Sequence, residues 1–165
     1  MRLALALAFA LVGCKPAAPA NQCDRAADGF PGVRVLGAFN EDLGCVWQSY
    51  ELDGKKHPLF DAGLVLAREG WATADGSARA ALAQRYVAGV MLEPGALVDA
   101  PPPALADKVA PPSASAAPDG GVQFVGWRRL PAVVRKGVRY ARIEATFRAD
   151  GNLSGVRNTK IVNER

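Results

Sequence analysis

The 165-residue chain has one histidine, His57, and three cysteines, Cys14, Cys23 and Cys45. One imidazole and no metal-type cysteine spacing leave too few ligands for a Cys/His zinc site. The sequence contains no G-x-S-x-G elbow and no Gly-rich phosphate loop, so neither a hydrolase nucleophile nor a nucleotide cradle is indicated. A nucleophilic mechanism with a histidine base would have to use His57, which lies between Lys56 and Pro58 and reads as an exposed turn residue. Glu41-Asp42 and Asp53 offer carboxylates for glycoside chemistry, although acids in a Gly-rich loop are usually solvated. No catalytic constellation, metal site or cofactor motif emerges. The expectation is a non-enzymatic protein, and the alternative is a small enzyme or accessory subunit built around His57.

Long apolar runs are also scarce. The one that exists is Leu3–Val12 (LALALAFALV), behind the basic Arg2. A membrane-spanning helix needs about 20 apolar residues, whereas a signal-peptide core needs about 7–15. The run therefore reads as a signal peptide covering residues 1–13. The following Leu11-Val12-Gly13-Cys14 resembles the lipobox of bacterial lipoproteins: a branched apolar residue, a small or apolar residue, then Gly before Cys. The resemblance implies cleavage between Gly13 and Cys14, a diacylglyceryl thioether on Cys14 and acylation of the new amine. More than one acyl chain is needed because a single chain anchors a protein only marginally. Lys15 stands where an Asp tends to retain such proteins at the inner membrane, so the resemblance implies an exported protein, held at the outer membrane and facing the periplasm or the cell surface.

With Cys14 lipidated, Cys23 and Cys45 remain as a natural disulfide pair in an oxidising compartment; two free thiols are the alternative. Charge divides the chain. Residues 14–120 carry a net −4 and residues 121–165 a net +7. The basic part suits anionic lipid headgroups, another anionic envelope component or an acidic protein, or is simply a solvated face. Nucleic acid is not an expected partner of an exported protein.

The pattern along the chain predicts an α+β fold in several segments. Residues 14–22 form the lipidated cysteine and a Pro/Ala tether. Residues 23–93 form a small disulfide-bonded α+β segment: strand-like runs at 29–39 and 45–52, then two helices. Pro58 suits the first turn of a helix over 58–69, with Phe60, Leu64 and Ala67 on one stripe. A second helix, capped by Asp75 or Ser77, repeats Leu82, Tyr86 and Val90 and ends at Pro94. Residues 94–120 hold seven of the twelve prolines. They read as a semi-rigid linker able to span on the order of 80 Å at about 3.1 Å per residue; a loop folded back over one domain is the alternative.

Residues 121–165 are basic and β-rich. A strand is expected over 122–130. Tyr140–Ala149 alternates strictly, with Ala141, Ile143, Ala145, Phe147 and Ala149 on one side and Tyr140, Arg142, Glu144, Thr146 and Arg148 on the other. Asp150-Gly151 marks a turn. A C-terminal antiparallel hairpin follows, with a bulge at Ser154-Gly155 and an apolar face of Leu153, Val156 and Ile161. Leu130-Pro131, Val134-Arg135-Lys136-Gly137, Ile143–Phe147, Asp150-Gly151, Leu153 and Val156 are similar to the opening of the C-terminal domain of TonB-type energy transducers. Over residues 130–165 that resemblance implies a peptide-binding module behind a proline-rich spacer. The candidate binding face comprises Trp127, Arg128, Arg129, Arg142 and Arg148. Trp127 beside two arginines suits stacking on a sugar or an anionic partner, and core packing is the plainer role for each tryptophan.

Overall fold

A computed structural model describes residues 21–40, 44–130 and 138–163. The lipobox, with Gly13 and Cys14, most of the tether, and Glu41-Asp42 lie outside these residues. Twelve short elements follow one another: β1 (Arg25–Ala26), β2 (Val33–Asn40), β3 (Gly44–Leu52), β4 (Lys55–Pro58), α1 (Ala62–Arg68), α2 (Gly76–Tyr86), a π-helical turn (Val87–Met91), a 3-10 turn (Pro103–Leu105), β5 (Ser113–Ala116), β6 (Val122–Leu130), β7 (Arg139–Phe147) and β8 (Leu153–Asn163). The fold is mixed α+β, as expected, but mostly β. Among the described residues it contains two antiparallel four-stranded sheets, β1-β2-β3-β4 and β5-β6-β7-β8, each in chain order.

Pro58 is a first correction. It closes β4, paired with Ser49, and helix α1 starts four residues later. A proline tolerates an edge strand, where no ladder donor is missed. The expected helical stripe is also displaced: Phe60 and Leu64 are exposed, while Ala62, Val65 and Leu66 are buried. The second helix matches its reading. The Asp75 side chain accepts from the Ala78 N–H at 2.8 Å, and Ala83, Tyr86, Val87 and Val90 face the core. The last turn widens to a π-turn at Gly89. A Cβ there would stand 2.0 Å from the Asp28 carbonyl oxygen, so the close approach of the β1 region demands glycine.

The two folded segments pack together. One buried cluster joins Phe30, Val35 and Tyr50 from the first sheet, Leu66, Tyr86 and Val90 from the helices, and Val122, Phe124, Ile143 and Phe147 from the second sheet. Trp71 donates its indole N–H to the Ala149 carbonyl at 2.9 Å, and Tyr86 meets Phe147 edge-on at 6.0–6.1 Å ring spacing, as it does Phe30. Gly63 N–H donates to the Asn152 side chain and Leu153 N–H to the Phe60 carbonyl.

The Pro/Ala stretch 94–120 is a second correction, because it folds back over the second sheet. Ala96 and Val98 bond to β6 through Arg129 N–H and the Trp127 carbonyl. Ser113–Ala116 adds β5 to the same strand. Between them Leu105 and Val109 are buried against Trp127, Tyr140 and Val162. Composition hides this. A few well-spaced apolar residues suffice to pin a chain whose prolines lack donors that would otherwise need partners.

The C-terminal hairpin forms as expected. Gly151 takes φ +84° in a turn where its N–H bonds to the Arg148 carbonyl. Register shifts where Ser154 has no partner on β7, and again at Thr159. The two bulges keep Leu153, Val156 and Ile161 on one face. Ile161 nonetheless stands 59% exposed, because on that face the buried cluster ends at Ile143. Val162, on the opposite face, is the buried residue of that end.

Candidate functional site

The second sheet has two faces of different character. Its inner face, with Val122, Phe124, Ile143, Ala145 and Phe147, closes the core. Strand alternation places Gln123, Val125, Trp127 and Arg129 of β6 on the outer face, with Tyr140, Arg142, Glu144 and Thr146 of β7. Residues 98–109 cover one half of that outer face over Trp127 and Tyr140. The other half is an open groove of about 580 Å³, lined among others by Gln123, Arg142, Glu144, Thr146, Ser154 and Arg157.

Glu144 is the hub of the groove. It accepts from the Arg157 Nε at 2.7 Å and from Thr159 at 3.5 Å, and it is ion-paired with Arg142. The Arg157 hydrogen bond, aided by both positive charges, holds its carboxyl below the ordinary glutamate range against a partial desolvation penalty. The groove thus presents two guanidinium groups bridged by one carboxylate, with hydroxyl and amide groups around them. Such a lining suits polar or anionic groups bound by hydrogen bonds.

The five residues of the expected binding face do not lie together. Trp127 is 5% exposed and packs in the small cluster beneath residues 98–109, so it is closed to stacking on a ligand. Arg128 and Arg129 are adjacent on a strand and point to opposite faces. Arg142 lines the groove already paired. Arg148 sits in the hairpin turn, 3.5 Å from Asp150. The sequence reading missed Glu144, Arg157 and Thr159. The alternation placing Arg142 and Glu144 on one side was visible, but the bulge that delivers Thr159 depends on pairing to β7.

In the first sheet, Cys23 and Cys45 form the expected disulfide, with Cα atoms 5.3 Å apart across 22 residues. It fastens the segment before β1 to β3. Trp47 donates to the Cys23 carbonyl at 2.8 Å. His57 stacks on Tyr50 at 5.4 Å and lines neither the groove at Glu144 nor a smaller one beside Arg129. Tyr50 and Tyr86 hydroxyls donate to the Asp61 and Leu59 carbonyls at 2.6 and 2.8 Å, and burial raises both phenols well above their ordinary range. Among the described residues no three His, Cys, Asp or Glu side chains are grouped to hold a metal, and no helix is long and apolar enough to cross a membrane.

No family model, curated protein or solved structure matches the chain.

Proposed function

We propose that this protein is an exported lipoprotein, anchored through acyl chains on Cys14, whose folded part binds an anionic component of the cell envelope without catalysing a reaction. The anchor rests on the lipobox Leu11-Val12-Gly13-Cys14 behind the apolar run. The Cys23–Cys45 disulfide supports the address, since such bonds persist in oxidising compartments. The observation that carries the binding role is the open outer face of the second sheet, where Arg142 and Arg157 flank a groove in the basic part of the chain.

The role is tested by pull-down from envelope extracts with the purified protein. An anionic component should be retained at low salt and released as ionic strength rises, because exposed charge pairs are screened. Recovery of nothing at any salt concentration removes the binding role. Cys14→Ala should abolish acylation, read as loss of the lipid mass increment from the protein.

A further inference from the structure

Most arginines among the described residues have acceptors. Arg34, Arg68, Arg85, Arg142, Arg148 and Arg157 pair with carboxylates. Arg25 and Arg79 are held by backbone carbonyls. Arg128, Arg129 and Arg139 are different. They gather where β6 runs out and β7 begins, and no ion pair or side-chain hydrogen bond forms at any of them among the described residues.

Two of the three share a face. Register pairs Arg128 with Ala141 and Leu130 with Arg139, so Arg128 and Arg139 are diagonal neighbours on the inner side of the sheet. Such neighbours stand about 7–8 Å apart, within reach of long side chains, and like charges that close repel. The Arg128 Nε is enclosed with no acceptor. Its guanidinium is disfavoured by desolvation, with no carboxylate offsetting it. A guanidinium in that state costs stability, and a bound oxyanion between the two would relieve both the missing acceptor and the repulsion. Ile161, 59% exposed, stands opposite Ala141 on the same face and sets an apolar group beside the cations.

We infer that Arg128 and Arg139 form a binding site for a phosphate oxyanion, on the inner face of the second sheet at the end where β6 finishes and β7 begins. Guanidinium forks match phosphate geometry with paired N–H donors. The exposed Ile161 points to a phospholipid headgroup as the source, with free phosphate as the other. The site lies on the opposite face of the sheet from the groove at Glu144; it adds a phosphate ligand to the envelope-binding role proposed above and rests on that reading for its biology. Phosphate binding itself is read without any anchor, so the two can fail separately.

The test uses the full chain carrying Cys14→Ala, with and without Arg128→Gln and Arg139→Gln together, and with Arg68→Gln, an exposed cation paired with Asp53, as the control. Inorganic phosphate is titrated by calorimetry at fixed ionic strength. In parallel, sedimentation measures binding to vesicles of phosphatidylcholine with and without phosphatidylglycerol; insertion by residues 1–13 is common to all chains and cancels. The double variant should bind at least about tenfold more weakly, as expected for loss of a charge-assisted bond, while Arg68→Gln binds as the parent does. Saturable binding of inorganic phosphate identifies a free-phosphate site; a loss confined to phosphatidylglycerol vesicles identifies the headgroup. Should Arg128→Gln impair folding, Arg139→Glu alone carries the same expectation. Parent-like binding by the double variant, or an equal loss in Arg68→Gln, overturns the site.

Discussion

The two sheets are built alike and charged differently. Each is a four-stranded antiparallel meander contributing one face to a common core. In the first, Arg34 spans Asp24 and Glu51, Arg25 is held by the carbonyls of Gly89, Val90 and Leu92, and a disulfide fastens the edge. In the second, cations are matched only toward the hairpin turn, where Glu144 and Asp150 answer Arg142, Arg157 and Arg148. At the far end Arg128, Arg129 and Arg139 have no such answer. The described arginines of residues 121–165 therefore do not form a uniform solvated face: three are neutralised by carboxylates, and the other three lie at one end of one sheet. Charge that folding leaves unmatched is charge available to a partner.

The common core is the feature whose loss should cost most. Phe147→Ala, in the second sheet, is expected to destabilise by about 3–5 kcal/mol, the usual range for deleting a buried aromatic ring. Fluorescence from Trp47 in the first sheet and Trp127 in the second should still report one coincident transition. Two separated transitions would mean that the sheets fold as independent units. Next is the disulfide. Replacing Cys23 and Cys45 by Ser together should cost about 3 kcal/mol by the loop-closure argument, read as a fall in the denaturant midpoint.

Smaller effects sharpen the contrast between the matched and unmatched cations. Arg128→Met should stabilise the protein in phosphate-free buffer by about 1 kcal/mol, because it removes a buried donor with no acceptor. Arg157→Met should be neutral or slightly destabilising, since it breaks an exposed pair. Equal effects at the two positions would erase the distinction. Tyr86→Phe strands the Leu59 carbonyl and should cost about 1 kcal/mol. Burial, then the neighbouring Tyr50 and Asp61, raise the Tyr86 phenol in the folded state. Its stabilising contribution is thus complete below the unfolded tyrosine range near pH 10 and declines as pH rises beyond it. The phenylalanine variant should show a flatter alkaline limb.

The smallest effect is on the acid side. The Glu144 carboxyl is lowered chiefly by the Arg157 hydrogen bond, with Arg142 assisting. Its contribution is present above the unfolded glutamate range near pH 4.3 and fades as pH falls below it. Glu144→Gln should therefore reduce the acid-side slope in a pH series of thermal melts.

Local signals were legible where a residue acts on its own neighbours. Asp75 caps its helix, the β7 alternation separates the two faces, and Gly151 makes the turn. The disulfide followed from counting cysteines. What escaped the sequence depends on distant partners. The buried Leu105 and Val109 become visible only once Trp127 and Tyr140 stand beneath them, so the Pro/Ala stretch read as a linker. The Thr159 bulge arises from pairing with β7 and no local residue type announces it. The candidate face is divided for a simpler reason: Arg128 and Arg129 are neighbours in sequence, and a strand sends them to opposite sides. The unpaired state of Arg128 is a fact about which acids are far away, and sequence order does not encode that.

The central proposal, that acyl chains on Cys14 hold this protein in the envelope, is tested most directly by the intact mass of protein extracted from membranes with detergent. The account predicts a polypeptide beginning at residue 14, heavier by a diacylglyceryl group and, where the amine is acylated, one further acyl chain. A mass matching the unmodified chain with residues 1–13 retained would contradict it.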